Sequence, residues 1–474
     1  MRPGRLPVFA SFLLASCLCR TAGASGPLAP QGEPIETSAY TLDMFQGPVL
    51  ASSRVTALAG AYAAIAEGVD GYPVNPAAPA VRQPWSVDHV DYDLSAGVTF
   101  PGGLSKSDFD NNGTVGFAYQ DFVFLTLGAN LQVGKWGFGA STDVQQYNLQ
   151  QEVEIDGQKR YLTVQLGRTH VLLARSVADG QLTIGAGARA AYLNLNGTEN
   201  ASGGGSSVDL FSMYGAGLET GVLWAPHGWP MRVGAAFRSS VKGEAQPDSR
   251  TAPNGDGDTV VGAIFLPDHL VLPWEVEVGM ALQLGRRPLN VPWPDPQDER
   301  RRYVQQLERA RNERRGRSTP NQAALEQQEH ERIKAASDEV RRGLKSRYRS
   351  MPRQKVLLSA ALLVSGPIQR GVGVESFLRQ QVDRSGRTTS LAPRVGIELE
   401  PLSDRLQVRG GGYVEPSRFH PELARVHGTL GFDLRLFDWS VFGLFDDDST
   451  WRGGGFADVS RDYVSWGVSV GLWH

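Results

Sequence analysis

The chain has 474 residues and a formal net charge of −3, room for one large domain or two to three ordinary ones. Its mean hydropathy is −0.26, and no apolar run beyond the N-terminus reaches the ~18 residues of a membrane helix, which excludes a helical membrane protein. A barrel stays open, because each of its strands needs only ~9–11 residues of alternating character.

Residues 1–24 read as a signal peptide. Arg2 and Arg5 precede an apolar stretch from Leu6 to Leu18, and Ala22-Gly23-Ala24 offers a small-residue cleavage site. Leu14-Ala15-Ser16-Cys17 competes as a lipoprotein box that would leave Cys17 acylated. Either way the chain is exported. Cleavage after Ala24 removes Cys17 and Cys19, the only cysteines, and with them any disulfide or thiolate chemistry.

Residues 25–85 precede the strand pattern. Arg54 to Gly68 is alanine-rich and predicts a helix ending near Gly68. A turn follows at Asn75-Pro76-Ala77, where Pro76 biases Asn75 away from helix. Gly60, Asn75, Pro76 and Ala77 mark this segment. It resembles the N-terminal plug of the FadL-like outer-membrane transporters, which carry long-chain fatty acids and other hydrophobic compounds. Leu391 to Pro416 is similar to the late strands of that family, with Pro393-Arg394-Val395-Gly396, Asp404-Arg405-Leu406 and Arg409-Gly410-Gly411. The resemblance implies a plug inside a 14-stranded barrel. Ala78-Pro79 after the Asn-Pro-Ala turn departs from the family's usual glycine and leucine.

From about Ser86 onward the residues alternate with period two. Trp274, Val276, Val278, Met280, Leu282 and Leu284 share one face of a predicted strand, with Glu275, Glu277 and Gly279 on the other. Val464 to Leu472 and Leu430 to Leu436 repeat the pattern. Many segments exceed the five or six residues of a soluble strand. Trp224, Trp274, Trp466 and Tyr214 sit near the ends of apolar faces, and charges lie opposite them, as a hydrated lumen permits and a sandwich core does not. The expected fold class is all-β: a transmembrane antiparallel β-barrel of about 14 strands (14–16) over residues 86–474, with an N-terminal plug and a helical loop insert. Counting the short pieces Thr259–Leu266 and Ser440–Phe445 as strands gives 16.

Short turns alternate with long links, and in bacterial barrels the short turns are periplasmic. With 16 strands, the link at 286–353 falls among the extracellular loops. It is basic: residues 286–355 hold 19 Lys+Arg against 10 Asp+Glu. Two helices broken near Pro320 are expected in it. Arg300-Arg301-Arg302, Arg314-Arg315 and Arg341-Arg342 would suit lipopolysaccharide phosphates.

Lumen charges and three acidic loop clusters could carry chemistry. Arg189, Glu219, Arg238, Glu275, Glu277, Arg394, Glu398, Arg409, Asp433 and Arg435 are predicted lumen charges, either for a substrate carboxylate or for holding the plug. Asp108, Asp110 and Asn112 with Gly113 have the spacing that opens a calcium loop, although Tyr119 stands where the bidentate glutamate belongs. Asn254, Asp256 and Asp258 repeat the spacing, and Asp446 to Asp448 form a third acidic cluster. Solubilising turn residues are the alternative reading of all three. No enzyme motif is present, and no nucleic-acid partner is expected. The function expected is transport of hydrophobic compounds, such as long-chain fatty acids, across the outer membrane of a Gram-negative bacterium. The alternative is an outer-membrane scaffold or secretion shuttle that binds surface proteins through its loops. Outer-membrane lipid, lipopolysaccharide and a hydrophobic small molecule are the expected partners. No cofactor is expected beyond calcium in the loops.

Overall fold

Alternating strands leave no free edge only if the sheet closes on itself, and in the computed structural model it does. The structure describes residues 27–102, 107–115, 123–155, 158–199, 205–246, 256–314, 322–352, 354–440, 442 and 449–473. The signal-peptide residues, Tyr119, Asn254 and Asp446 to Asp448 lie outside them.

The chain begins with a short strand, β1 (Thr41–Asp43), and a one-turn helix, α1 (Ser53–Ala57). The wall then starts: β2 (Val90–Pro101), β3 (Val123–Val133), β4 (Trp136–Ile155), β5 (Gln158–Val177), β6 (Leu182–Thr198), β7 (Ser207–Trp224) and β8 (Met231–Arg238), which continues after a kink as β9 (Val241–Ala245). The two-residue strands β10 (Val260–Val261) and β11 (Ile264–Phe265) follow, then β12 (His269–Leu272) and β13 (Glu275–Gly285). Helices α2 (Pro296–Arg314) and α3 (Gln322–Ser350) separate β13 from β14 (Lys355–Ser365). Next come β15 (Gly371–Gly373), α4 (Val374–Arg379) and β16 (Arg384–Ser385). The wall ends with β17 (Ser390–Leu402), β18 (Leu406–Glu415), β19 (Arg425–Asp438), β20 (Thr450–Ser460) and β21 (Tyr463–Leu472). Strands β2–β8, β13, β14 and β17–β21 form a closed antiparallel barrel of 14. Closure is the pairing of β21 with β2, from Ser95↔Gly471 to Pro101↔Ser465.

The two faces of the strands exchange character part-way up β4–β7. In the lower half the outward side chains are apolar and exposed, as with Val171, Leu173, Ile184, Leu218 and Val222. The inward ones there are polar, as with His170, Arg189 and Glu219. In the upper half, Tyr147, Leu162, Val164, Leu166, Leu193, Leu195, Phe211 and Met213 turn inward and are buried. Their outward neighbours include Gln146, which accepts from Gln165 at 3.2 Å, and Asn194, which accepts from Tyr214 at 3.2 Å. An exposed apolar band belongs against lipid and an outward polar row belongs in water. The strands therefore rise out of the membrane at the long-loop end, where they enclose an apolar core. Exposed Leu127, Val278, Met280, Leu430, Phe432, Val468 and Val470 continue the band around the wall.

That core also takes in residues from three other segments: Ile35, Tyr40 and Leu42 of the N-terminal segment, Phe109 of the β2–β3 link, and Phe377 of α4. Strand β1 lies parallel to both β12 and β15, Leu42 facing Leu270 on one side and Val372 on the other. The chain then passes down the lumen to reach β2 from the opposite end.

Two expectations are corrected. The insert does not share an end with the long loops. Leu282 pairs with Met231 and Gly285 with Lys355, so β13 runs toward the end that carries the turn 225–230. The turns 134–135, 178–181 and 403–405 lie at that same end. Thr259–Leu266 is the reason: β10 and β11 pair with each other, so this piece does not cross the wall, and the insert that follows it changes ends. The two helices broken near Pro320 are found, although residues 315–321 lie outside the described ones. The expected helix over Arg54–Gly68 shortens to α1, because Ala59 (φ 56), Gly60 (φ 74), Ala66 (φ 46) and Gly68 (φ 62) turn left-handed.

Candidate functional site

The lumen is occupied by residues 46–80, and the wall is cut to receive them. Asn75 is fully buried; its Nδ2 donates to Ala63 O (2.8 Å) and Val222 O (3.1 Å), and its Oδ1 accepts from Ala77 N (3.0 Å). Pro76 has no N–H to satisfy there. A Cβ on wall residue Gly221 would lie 2.1 Å from Asn75 Oδ1, and one on Gly185 would lie 1.9 Å from Pro76 O. Glycine is what lets the plug backbone reach the wall at these points. Gly60 likewise leaves room for Arg394, whose Nη1 donates to Gly60 O at 3.5 Å.

Charge pairs join the plug to the wall. Arg54 of α1 meets Glu398 at 2.9 Å and Glu67 at 3.2 Å, and Glu67 meets Arg232 at 2.7 Å. Glu398 also takes Lys355 (2.9 Å) and Arg409 (2.7 Å). Arg409 passes on to Asp433 (2.7 Å), Asp433 to Arg452 (2.8 Å), and Arg452 to Asp70 of the plug (2.8 Å). A second network binds Arg238 to Glu275 and Glu277, both at 2.9 Å, and to the carbonyls of Pro73 and Val74. Arg394 meets Glu277 at 3.4 Å, while Glu219 pairs with His170 at 3.0 Å.

Arg189 closes a defect in the wall. The β8–β9 kink and Pro273 interrupt the ladder, and Arg189 donates to the freed carbonyls of Ser239 (2.7 Å) and Pro273 (2.5 Å) while pairing with Glu275 (2.8 Å). Proline cannot donate within a sheet, so an arginine fork is a fitting repair.

Nine of the ten predicted lumen charges thus meet in these networks. Arg435 does not: it lies at the short-turn end beside Asp404 and Asp438, one third exposed. Sequence reasoning missed Arg54, Glu67 and Asp70, the charged residues of an otherwise small and apolar plug, and their wall partners Arg232, Lys355 and Arg452. The lone charges in an alanine-rich stretch were the available signal.

Two cavities of about 100 Å³ each lie between plug and wall, one along Asp143, His170, Arg189 and Arg238, the other along Glu67, Asp70, Arg409 and Arg452. At the short-turn end, the stem of the insert rests on the plug's exit. Arg82 stacks over Trp293 (4.2 Å), Trp293 Nε1 donates to Ser86 O (2.7 Å), His89 meets Asp295 (2.9 Å) and Arg341 meets Asp88 (2.9 Å). Cavities of about 380 and 310 Å³ lie beside that contact.

Asp108, Asp110 and Asn112 lie in the β2–β3 link. Asp108 accepts from Asn112 N (3.0 Å) and Gly113 N (2.9 Å), and Asn112 Oδ1 accepts from Thr114 N (2.8 Å), so these oxygens shape the loop. Asp258 accepts from Ser38 N (2.6 Å) and fastens the N-terminal segment. Among the described residues, no three His, Cys, Asp or Glu side chains are arranged to hold a metal ion. Asp110 faces Glu375 of α4 instead. Burial, then the Glu375 charge, holds the Asp110 carboxyl well above the usual range, and burial pushes Glu375 up to about 8 against the pull of Arg379. Asp108 and Asp383 are raised by burial too.

The class these features define is a plugged, 14-stranded membrane barrel. No protein-family model matches the chain, and no curated protein matches it. Solved structures of similar shape include the toluene transporter TodX of P. putida (12% identity, TM-score 0.42, covering 92% of this chain and 98% of that one). The CymD monoaromatic hydrocarbon channel is another (10%, 0.44, 90% and 97%). A third is a Pseudomonas aeruginosa FadL homologue (11%, 0.39, 93% and 99%).

Proposed function

We propose that the protein passes hydrophobic compounds across the outer membrane of a Gram-negative bacterium. The carrying observation is the apolar inner lining at the long-loop end, where Leu162, Val164, Leu166, Leu193, Phe211 and Met213 turn into the barrel above a charged plug. A passage for polar solutes has no use for such a lining. An apolar molecule would leave water into it, and the plug would have to shift for passage, since ion pairs fill the level below. Long-chain fatty acids and aromatic hydrocarbons are the substrate classes to compare. Uptake of radiolabelled oleate and toluene by a deletion strain should fall for at least one of them and return with the plasmid-borne gene. Unchanged uptake of both, and purified barrel free of apolar ligand by mass spectrometry, would overturn the reading.

The insert changes role with its end. With the long loops outside, α2 and α3 face the periplasm, and Arg300 to Arg302 cannot reach lipopolysaccharide or a surface protein. Trypsin added to intact cells should therefore leave the hairpin uncut, and cut after its arginines only once the outer membrane is permeabilised. Cleavage in intact cells would reverse the orientation.

A further inference from the structure

The insert crosses the short-turn mouth of the barrel twice. In the ring of 14, β13 stands seven places from β2 in either direction, so the two strands lie on opposite sides. Strand β13 ends at Gly285 and β2 begins at Val90, both at the short-turn end. The link 286–295 leaves β13 and arrives beside β2, where Asp295 meets His89 at 2.9 Å. Ten residues of chain reach at most ~33–36 Å, which permits such a span. The last turns of α3 lead back, from Arg341 at Asp88 (2.9 Å) to β14, the neighbour of β13. Arg347 joins the two crossings by donating to Pro292 O (3.1 Å). The cavity of about 380 Å³ lies on one side of this bar, by Asp404, Arg435 and Trp473; that of about 310 Å³ lies on the other, by Lys135, Asp179 and Ala225.

The bar is fastened to the plug as well as to the wall. Asn290 is 6% exposed, and its Nδ2 donates to the carbonyls of Pro226 (3.0 Å), Trp229 (3.1 Å) and Met231 (2.8 Å). Its Oδ1 accepts from Arg232 Nε (2.8 Å), and Arg232 Nη2 donates to Leu289 O (2.9 Å). The remaining nitrogen of that arginine, Nη1, turns to the plug, to Ile65 O (3.2 Å) and Glu67 (2.7 Å). Leu289 is buried in one apolar cluster with Leu58, Tyr62 and Ile65 of the plug. At the far end Trp293 covers Arg82 and bonds Ser86 O, where the plug leaves the lumen. We propose that the bar is a latch: residues 289–295, with the end of α3, hold the plug in the lumen from the short-turn side, and the plug shifts when they swing away. This rests on the transport reading, which needs the plug to shift. The Glu398 and Arg409 pairs hold the plug to the wall around it, and the bar closes the mouth beneath it. Asn290 and Trp293 are its two anchors, because removing either leaves carbonyl acceptors without their donor.

The test reads ion flow through the full mature chain in planar bilayers bathed in potassium chloride, so it does not depend on which compound is carried. The variant Asn290→Ala/Trp293→Ala removes the Asn290 bonds, the Arg82 stack and the Ser86 bond. It should keep the fast-migrating band of an unboiled barrel on gels, since neither residue belongs to a wall strand. Its open time should rise at least about tenfold over the parent, the change that about 1.4 kcal/mol makes in an equilibrium. Added protease should also reach residues 46–80 in the variant and not in the parent. A double variant that keeps its band, conducts no more than the parent and protects its plug would overturn the latch. Oleate or toluene uptake that still depends on the gene would then leave the transport reading standing. If the double variant does not assemble, Trp293→Ala decides, because the Asn290 anchor remains in it. Loss of the band in both would make the bar a brace for the wall and would overturn the proposal as well.

Discussion

Arginine at position 468 or 470 is expected to block assembly of the barrel, while a polar residue at 469 is tolerated. Val468 and Val470 of β21 are 50% and 42% exposed, whereas Ser469 between them is 8% exposed and faces the lumen. Their pairing fixes the facing: Val468 sits opposite Val98 and Gly455, Val470 opposite Ala96 and Gly453. Arginine on the lipid face costs roughly 2–4 kcal/mol at the midplane and far less near the interfaces. Strand β21 also closes the ring against β2, so a loss there leaves two unpaired edges. Val468→Arg should therefore lose the fast-migrating unboiled band on gels and accumulate as degraded material. Ser469→Asn should keep that band. Equal migration of both variants would place the lipid face wrongly.

Much of the wall was legible because its lower half obeys one rule. Trp274 to Leu284 reads apolar on the lipid side along its whole length, and Glu275 and Glu277 stand inward where alternation puts them. What alternation cannot show is whether a segment crosses. Val260, Val261, Ile264 and Phe265 have the composition of a strand, yet they pair two residues with two and cap the barrel. One such miscount moves the insert to the other end. The plug was legible as a segment and not as a shape. Alanine favours helix, but wall glycines close on the segment, Gly396 against Leu58, Gly411 against Ala59 and Gly234 against Ala63, and the backbone winds instead. Asp110 and Glu375 meet only because β14 to β17 returns a loop over the mouth; no spacing in sequence encodes that encounter. The face exchange in β4–β7 was written in the sequence, as Arg168 and His170 giving way to Leu166, Val164 and Leu162 on one side of β5.

Removing the carboxylate of Glu398 is expected to loosen the plug while the wall stays closed. Glu398 is 0% exposed and is shared by Arg54 of the plug with Lys355 and Arg409 of the wall. Breaking a buried pair by deleting one partner strands the other charge, at about 3–5 kcal/mol. Three cations meet at this acid, so Glu398→Ala leaves all three with less than they need. The wall can bear the loss, because its strands on either side remain in ladder with β14 and β18. The plug has no such ladder between β1 and β2. It is held by Arg54, Glu67 and Asp70, by the Asn75 bonds, and by its packing. Movement of the plug is therefore the cheaper response. In planar bilayers, Glu398→Ala should raise conductance or add open flickers to a channel that is otherwise quiet. Added protease should reach residues 46–80 that the parent protects. Arg54→Ala should act in the same direction, since it breaks the pair from the plug side. Arg435→Ala serves as the contrast: its pairs with Asp404 and Asp438 are exposed at the turn end, where such bridges contribute roughly 0–1 kcal/mol, and conductance should not change. If Glu398→Ala keeps the unboiled band, stays electrically silent and protects its plug, the ion pairs are not what holds the plug in the lumen.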